Sequence, residues 1–409
     1  MQVPPPQVGD VLRLRVPNIT GSDLCTGHQE VTARVVYVGA TAVVLEDEAG
    51  PSYGAITAHL QTLGTQYDQL MHALLTRNFG NPLAMDARLD ANDRIFMLFT
   101  KRVNEMGGTA LLGFVSPSDF IPQAQCGASN ERELFYARVP ESTAEISTWY
   151  SQMPSTVMHE MKHVTSFAER LARQAALEDR WLEEATAQIA VELWARVRFG
   201  YEQRGDVTYS VSIGCELRCP GMPQAMLNHF SFLYRYYENT SARSIFGGTD
   251  VYGGAWLFVR WVIDHFAVSE AGFLTQLTQV ASTAGLASVE TLTGRTFEEL
   301  LGLWALSLYT DGVSIPVRTE LHHPSWNTID IFRGMNNDFP SLYRHQYPLV
   351  GYSPTFGSFL ADVSQTRGGS ATFFLLTGVQ ISRQLLDLGG YLGIGSAPEP
   401  LRLAIVRLR

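Results

Sequence analysis

The spacing of apolar residues changes along this 409-residue chain, and that change limits its architecture more than any other feature. Between residues 8 and 50, apolar and polar positions alternate in Val11-Leu12-Arg13-Leu14-Arg15-Val16, Val31-Thr32-Ala33-Arg34-Val35-Val36-Tyr37-Val38 and Thr41-Ala42-Val43-Val44-Leu45. A period of two belongs to strands, whose successive side chains point to opposite faces. Gly39-Ala40 separates the last two runs, so a small antiparallel hairpin sheet is expected. From 55 to 79 the spacing becomes three and four (Ile56, Leu60, Leu63, Tyr67, Leu70, Met71, Leu74), which predicts a helix closed by Gly80. Strands are expected at 94–100 and at 133–139, the latter ended by Pro140.

From about 142 to 312 the pattern is helical, in segments 143–151, 154–176, 181–199, 223–238, 251–266, 269–281, 287–292 and 296–310. From 316 onward short apolar runs return between Gly, Ser and Pro, for example 371–376 and 401–406. The expectation is an α+β chain with an N-terminal β module (1–54), a central domain (55–315) and a C-terminal β domain (316–409).

Composition narrows the function classes. The formal charge is −10 and Lys and Arg are scattered, so no nucleic-acid partner is expected. The longest apolar stretch, near 255–266, is interrupted by Arg260, Asp264 and His265. No segment reaches the roughly 18–20 apolar residues of a membrane span. The Pro-rich start, 1–7, reads as a mature N-terminus, and no signal peptide is recognised. The four cysteines, Cys25, Cys126, Cys215 and Cys219, fit no zinc motif. If the chain is exported, pairs 25–126 and 215–219 are expected; four buried thiols are the alternative.

His159-Glu160-Met161-Lys162-His163 carries the chemistry. On a helix, positions i and i+4 share a face, so both imidazoles can reach one zinc ion. Glu160 is then placed to take a proton from water at the metal. Pro154 is expected in this helix's first turn. The same five residues also suit two surface histidines flanking a glutamate, so the motif needs a third ligand. Trp181-Leu182-Glu183-Glu184-Ala185 supplies one, because a carboxylate on a second, antiparallel helix completes a three-ligand site and leaves one position open.

These segments resemble those of gluzincin zinc peptidases, and residues 56–312 are most similar to the hyicolysin-type neutral metallopeptidases of bacteria. The resemblance implies a thermolysin-like zincin domain, a small sheet plus a helical subdomain, with one Zn²⁺ held by His159, His163 and Glu184. Glu183, the competing carboxylate, would point about 100° away around the helix. Gln188 stands where such enzymes often place a carboxylate against a ligand histidine; either it accepts that bond or it only packs against the first helix. Tyr252, in Tyr252-Gly253-Gly254-Ala255, resembles the oxyanion donor of that family and equally suits an aromatic helix start in the core. His229, Tyr236 and Tyr237 are weaker candidates for that role.

The implied function is a secreted or cell-envelope endopeptidase acting on polypeptides, with Glu160 as general base and acid. The endopeptidase reading rests on the lack of a Gly-x-Met-Glu-Asn segment. Strand 133–139 is expected at a sheet edge, where an extended substrate can pair; an internal strand is the alternative. The turn Asp90-Ala91-Asn92-Asp93 offers oxygens to Ca²⁺, although a solvated turn is the simpler expectation. Two other readings stay open: a non-catalytic binding or adhesion protein on a peptidase fold, and a zinc hydrolase of non-peptide esters or amides.

Overall fold

A computed structural model describes residues 5–21, 23–108, 110–218, 224–279, 282–312, 318–352, 360–363, 366–375, 387–389 and 401–406. Its organising element is a six-stranded mixed sheet of β1 (Val11–Pro17), β2 (His28–Val38), β3 (Ala42–Asp47), β4 (Ile95–Phe99), β5 (Gly113–Val115) and β6 (Leu134–Ala137). The spatial order is β1-β2-β3-β4-β6-β5. The expected antiparallel hairpins join β1, β2 and β3. β3, β4 and β6 then run parallel, and β5 closes the sheet antiparallel to β6.

Strand periodicity assigns the two faces. Ala42, Val44, Ile95, Met97, Phe99, Phe135 and Ala137 face the large helical core. Val43, Leu45, Phe96, Leu98, Leu134 and Tyr136 face a smaller core on the other side, which Val103 helps to close. A sheet covered on both faces explains why Ile95-Phe96-Met97-Leu98-Phe99 is apolar throughout rather than alternating.

Two expectations change here. The boundary expected at 54 falls inside one sheet, since β1–β3 continue into β4. Strand 133–139 is internal: β6 has β4 on one side and β5 on the other, and β5 is the edge. Gly113-Phe114-Val115 is only three residues long, too short for a periodic signal.

The helices are α1 (Thr57–Gln66), α2 (His72–Asn78), α3 (Lys101–Gly107), α4 (Ile146–Ala172), α5 (Arg180–Phe199), α6 (Ile213–Arg218), α7 (Met226–Tyr237), α8 (Gly254–Phe266), α9 (Glu270–Gln279), α10 (Gly285–Thr293), α11 (Phe297–Thr310) and α12 (Thr328–Asp338). A π-helical turn, Tyr67–Met71, joins α1 to α2. Helix α4 runs unbroken for 27 residues through Pro154, so the expected segments 143–151 and 154–176 are one element, and Pro154 is interior rather than first-turn. An interior proline costs about 3 kcal/mol. Burial of Trp149, Met153 and Val157 on either side exceeds that, at roughly 1.5–3 kcal/mol for each fully buried side chain.

The expected β domain from 316 begins with a helix instead. Trp326, Phe332 and Met335, in and before α12, are buried in the same helical core as α7 and α8. The described strands beyond it are short parallel pairs, Gly351–Tyr352 with Phe373–Phe374 and Leu360–Asp362 with Asp387–Gly389. The described run 401–406 is not a strand. Cys25 and Cys126 are disulfide-bonded, as expected. Cys219 lies outside the described residues, so the 215–219 pairing does too. Helix and strand together make this an α+β chain, and among the described residues no helix is long and apolar enough to cross a membrane.

Candidate metal centre

Helices α4 and α5 are joined by a short turn in which Gln174 takes a left-handed conformation, φ 59°. His163 then meets Glu183 and His159 meets Gln188, so the two helices run antiparallel. This brings His159, His163 and Glu184 to one point. The Nε2 atoms of the two histidines are 3.2 Å apart, and Glu184 Oε2 lies 3.2 Å from His159 Nε2 and 3.6 Å from His163 Nε2. Ligand atoms 2.0–2.2 Å from a tetrahedral zinc lie about 3.3–3.6 Å apart. The triangle fits a tetrahedral site with one corner left over.

The outer ring nitrogens determine what the inner ones can do. Gln188 Nε2 donates to the Tyr252 carbonyl at 3.3 Å, which leaves Gln188 Oε1 as the acceptor facing His159 Nδ1 at 3.0 Å. Gln188 is therefore a hydrogen-bond partner of the histidine, not mere packing. His163 Nδ1 donates to Glu183 Oε1 at 2.8 Å. With both Nδ1 atoms protonated, the neutral rings turn Nε2 lone pairs inward, towards a carboxylate oxygen that has no hydrogen-bond partner. Three lone pairs brought this close need a proton or a cation between them.

Glu183 is thus a hydrogen-bond partner of His163. Its Oε2 accepts from Ser166 Oγ and pairs with the buried Lys162 ammonium, each at 2.8 Å. Burial works against its charge, but Lys162 and His163 outweigh burial and hold its pKa down at about 2. Burial also opposes ionisation of Glu184, and His159 and His163 outweigh it, holding Glu184 well below the usual carboxylate range. Burial disfavours an imidazolium at His163, yet hydrogen bonds and charge from Glu183 and Glu184 push its pKa up to about 10. In the metal-free chain a proton on His163 can do what a cation would do. Lys162 and Ser166 went unnoticed in the sequence, although their i, i+4 spacing puts both on the face of α4 that meets α5.

Glu160, between His159 and His163 in sequence, is buried, and burial raises its pKa; His159 and His163 pull it back, and Glu184 adds to the rise. Tyr252 also reaches the site. Its ring centroid is 6.2 Å from that of His159. Burial, then the charges of Glu184 and Glu160, push its hydroxyl up to about 12, while Arg180 opposes the shift. Gly253 permits this placement: a Cβ there would stand 2.3 Å from the Leu233 main-chain nitrogen, so only glycine lets the Tyr252 turn sit on α7.

The weaker candidates fall away. His229 is buried behind the site with its ring nitrogens on the Ala225 and Gln188 carbonyls. Tyr236 and Tyr237 are fully buried in the helical core. The turn 90–93 is not simply solvated: Asp90 and Asn92 are buried and only Asp93 is exposed. Asp90 clusters instead with Asp86 and Glu133.

No protein-family model matches the chain, and comparison with curated proteins gives no match.

Proposed function

We propose that the chain is a zinc-dependent hydrolase of peptide bonds, an endopeptidase with a thermolysin-like catalytic unit. The observation that carries this reading is the convergence of His159 Nε2, His163 Nε2 and Glu184 Oε2 at 3.2–3.6 Å. The motif resemblance to gluzincins supports the choice of reaction.

A zinc ion held by these three residues supplies Lewis acidity, making water acidic near neutral pH and polarising a carbonyl. The remaining work belongs to side chains. Glu160 takes a proton from the attacking water and returns it to the departing amine. Tyr252 stays protonated and donates a hydrogen bond to the oxygen that gains charge. Gln188 and Glu183 hold the two imidazoles in the ligating tautomer. The free edge of β5, which lies against α4, offers main-chain groups to an extended polypeptide. The Cys25–Cys126 disulfide supports an exported protein.

The test is Glu160→Gln. Zinc content stays at one per chain, and hydrolysis of an unfolded protein falls by about 10²–10⁴. Full activity in Glu160→Gln overturns the mechanism. Hydrolysis of simple esters or amides by the wild type with no action on polypeptides moves the reading to a non-peptide hydrolase, and zinc binding with neither activity moves it to a binding protein.

A further inference from the structure

Away from the zinc ligands, three acidic side chains distant in sequence meet in the interior. Asp86 opens a short 3₁₀ turn, Asp86–Arg88; Asp90 follows it; Glu133 immediately precedes β6, with its carbonyl bound by Phe96 N at 2.7 Å. All three are buried, with 6%, 8% and 0% exposure. Each presents a carboxylate oxygen within 4.8 Å of the other two.

Their hydrogen bonding is incomplete. Asp86 accepts from the main-chain N–H groups of Asn92, at 3.1 Å, and Asp93, at 3.3 Å. Asp90 Oδ2 accepts from Asn92 Nδ2 at 2.6 Å and lies 3.6 Å from Arg132 Nε. Asp90 Oδ1 and both oxygens of Glu133 have no hydrogen-bond partner. A fully buried carboxylate with two bare oxygens, turned towards two further carboxylates, is not stabilised by the single guanidinium beside Asp90.

We propose that Asp86, Asp90 and Glu133 form a calcium site, separate from the zinc ligands, that ties the 86–93 turn to the start of β6. The donors are all oxygen, which selects a hard cation over zinc. Ca²⁺–O bonds of 2.3–2.6 Å place two ligand oxygens no more than about 5 Å apart, a limit this cluster meets. Glu133, with both oxygens bare, suits bidentate binding. The competing arrangement is protonation, because burial, reinforced by the neighbouring carboxylates and opposed by Arg132, pushes Glu133 up to about 8 and Asp90 up to about 6. The turn 90–93 alone could not reveal the site: Asp93 points to solvent, and Glu133 arrives from another strand.

The test uses the full chain, stripped of metal by chelator dialysis and reloaded with one equivalent of zinc. Ca²⁺ is then titrated calorimetrically, and thermal unfolding is followed with and without it. One Ca²⁺ per chain binds, and Tm rises by several degrees. In Glu133→Gln and Asp90→Asn both effects are lost while the zinc stoichiometry is unchanged. No calcium heat and no Tm change in the wild type overturn the site, and that result stands even if a variant fails to fold. A Glu133→Gln chain more stable than the wild type, with or without calcium, assigns the cluster to bound protons and equally overturns it.

Discussion

Helix α5 carries two carboxylate clusters, a partly buried one at Glu184 and, about two turns further on, a fully buried one at Glu192. At Glu192 the carboxylates meet donors and cations of the chain itself. Its oxygens accept from Trp256 Nε1 at 2.9 Å and Trp326 Nε1 at 3.3 Å and bond Arg196. Arg260 sits 3.6 Å from Glu192 and 2.9 Å from Asp264, and Glu270 pairs with Arg196 at 2.9 Å. At Glu184 the neighbours are two imidazole nitrogens, 3.2 and 3.6 Å from Oε2. The first cluster holds α5 to α8 through donors and two guanidinium groups of the chain. The second is complete only with a proton or a cation. The burial of a charge therefore says little by itself; whether the chain supplies the counter-charge separates a structural network from a binding site.

Removing one partner from each cluster tests that distinction most strongly. Arg260→Met removes one of the two cations among Glu192, Asp264 and Glu270 and leaves Asp264 without its ion-pair partner. It should destabilise the fold by about 3–5 kcal/mol in urea unfolding, with zinc stoichiometry unchanged among folded molecules. Glu184→Ala should do the reverse: the chain folds, and stoichiometric zinc binding is lost. If Glu184→Ala unfolds the chain and keeps the metal in its folded fraction, the comparison collapses.

Tyr252→Phe sharpens the site's division of labour. Removal of one oxyanion donor should lower kcat by about 10²–10³ while zinc affinity holds; a loss confined to KM would reassign Tyr252 to substrate binding. Gln188→Ala acts one shell out. Without an acceptor at His159 Nδ1, zinc affinity should drop about 10–100-fold, read by competition with a chromogenic chelator. Unchanged affinity would mean that the Gln188 bond is incidental.

The smallest effect concerns a buried carboxylate satisfied by main-chain dipoles. Glu216 accepts from Met226 N at 2.7 Å and Leu227 N at 3.2 Å at the start of α7. Burial outweighs these bonds and pushes its pKa up to about 7. A raised acid binds its proton more tightly when folded, so its contribution is full below the unfolded value near 4.5 and is lost as pH rises through 7. The wild type should lose stability over that window, and Glu216→Gln should flatten the slope. An unchanged slope would show that Glu216 does not titrate there.

The sequence was most readable where a period or a spacing expresses a local rule. Helices α4, α5 and α7–α11 follow their apolar spacing; His159 and His163 follow from helix geometry, and Glu184 from the motif resemblance. What escaped notice depends on contacts between distant segments. Whether β6 is internal depends on β5, three residues too short to show a pattern. The helical start of 316–409 depends on Trp326, Phe332 and Met335 finding a core built by α7 and α8. Pro154 looked like a helix start because local rules favour it there, and tertiary packing overrode them. Glu183 as the His163 partner and Glu133 as the neighbour of Asp86 and Asp90 are likewise pairings made by the fold.

The most direct test of the central claim is a zinc titration of the metal-free chain at neutral pH, for wild type and His163→Ala. One Zn²⁺ per wild-type chain, with binding lost in a folded His163→Ala variant, is the predicted result. No zinc uptake by the wild type, or uptake by His163→Ala with unchanged affinity, would contradict it.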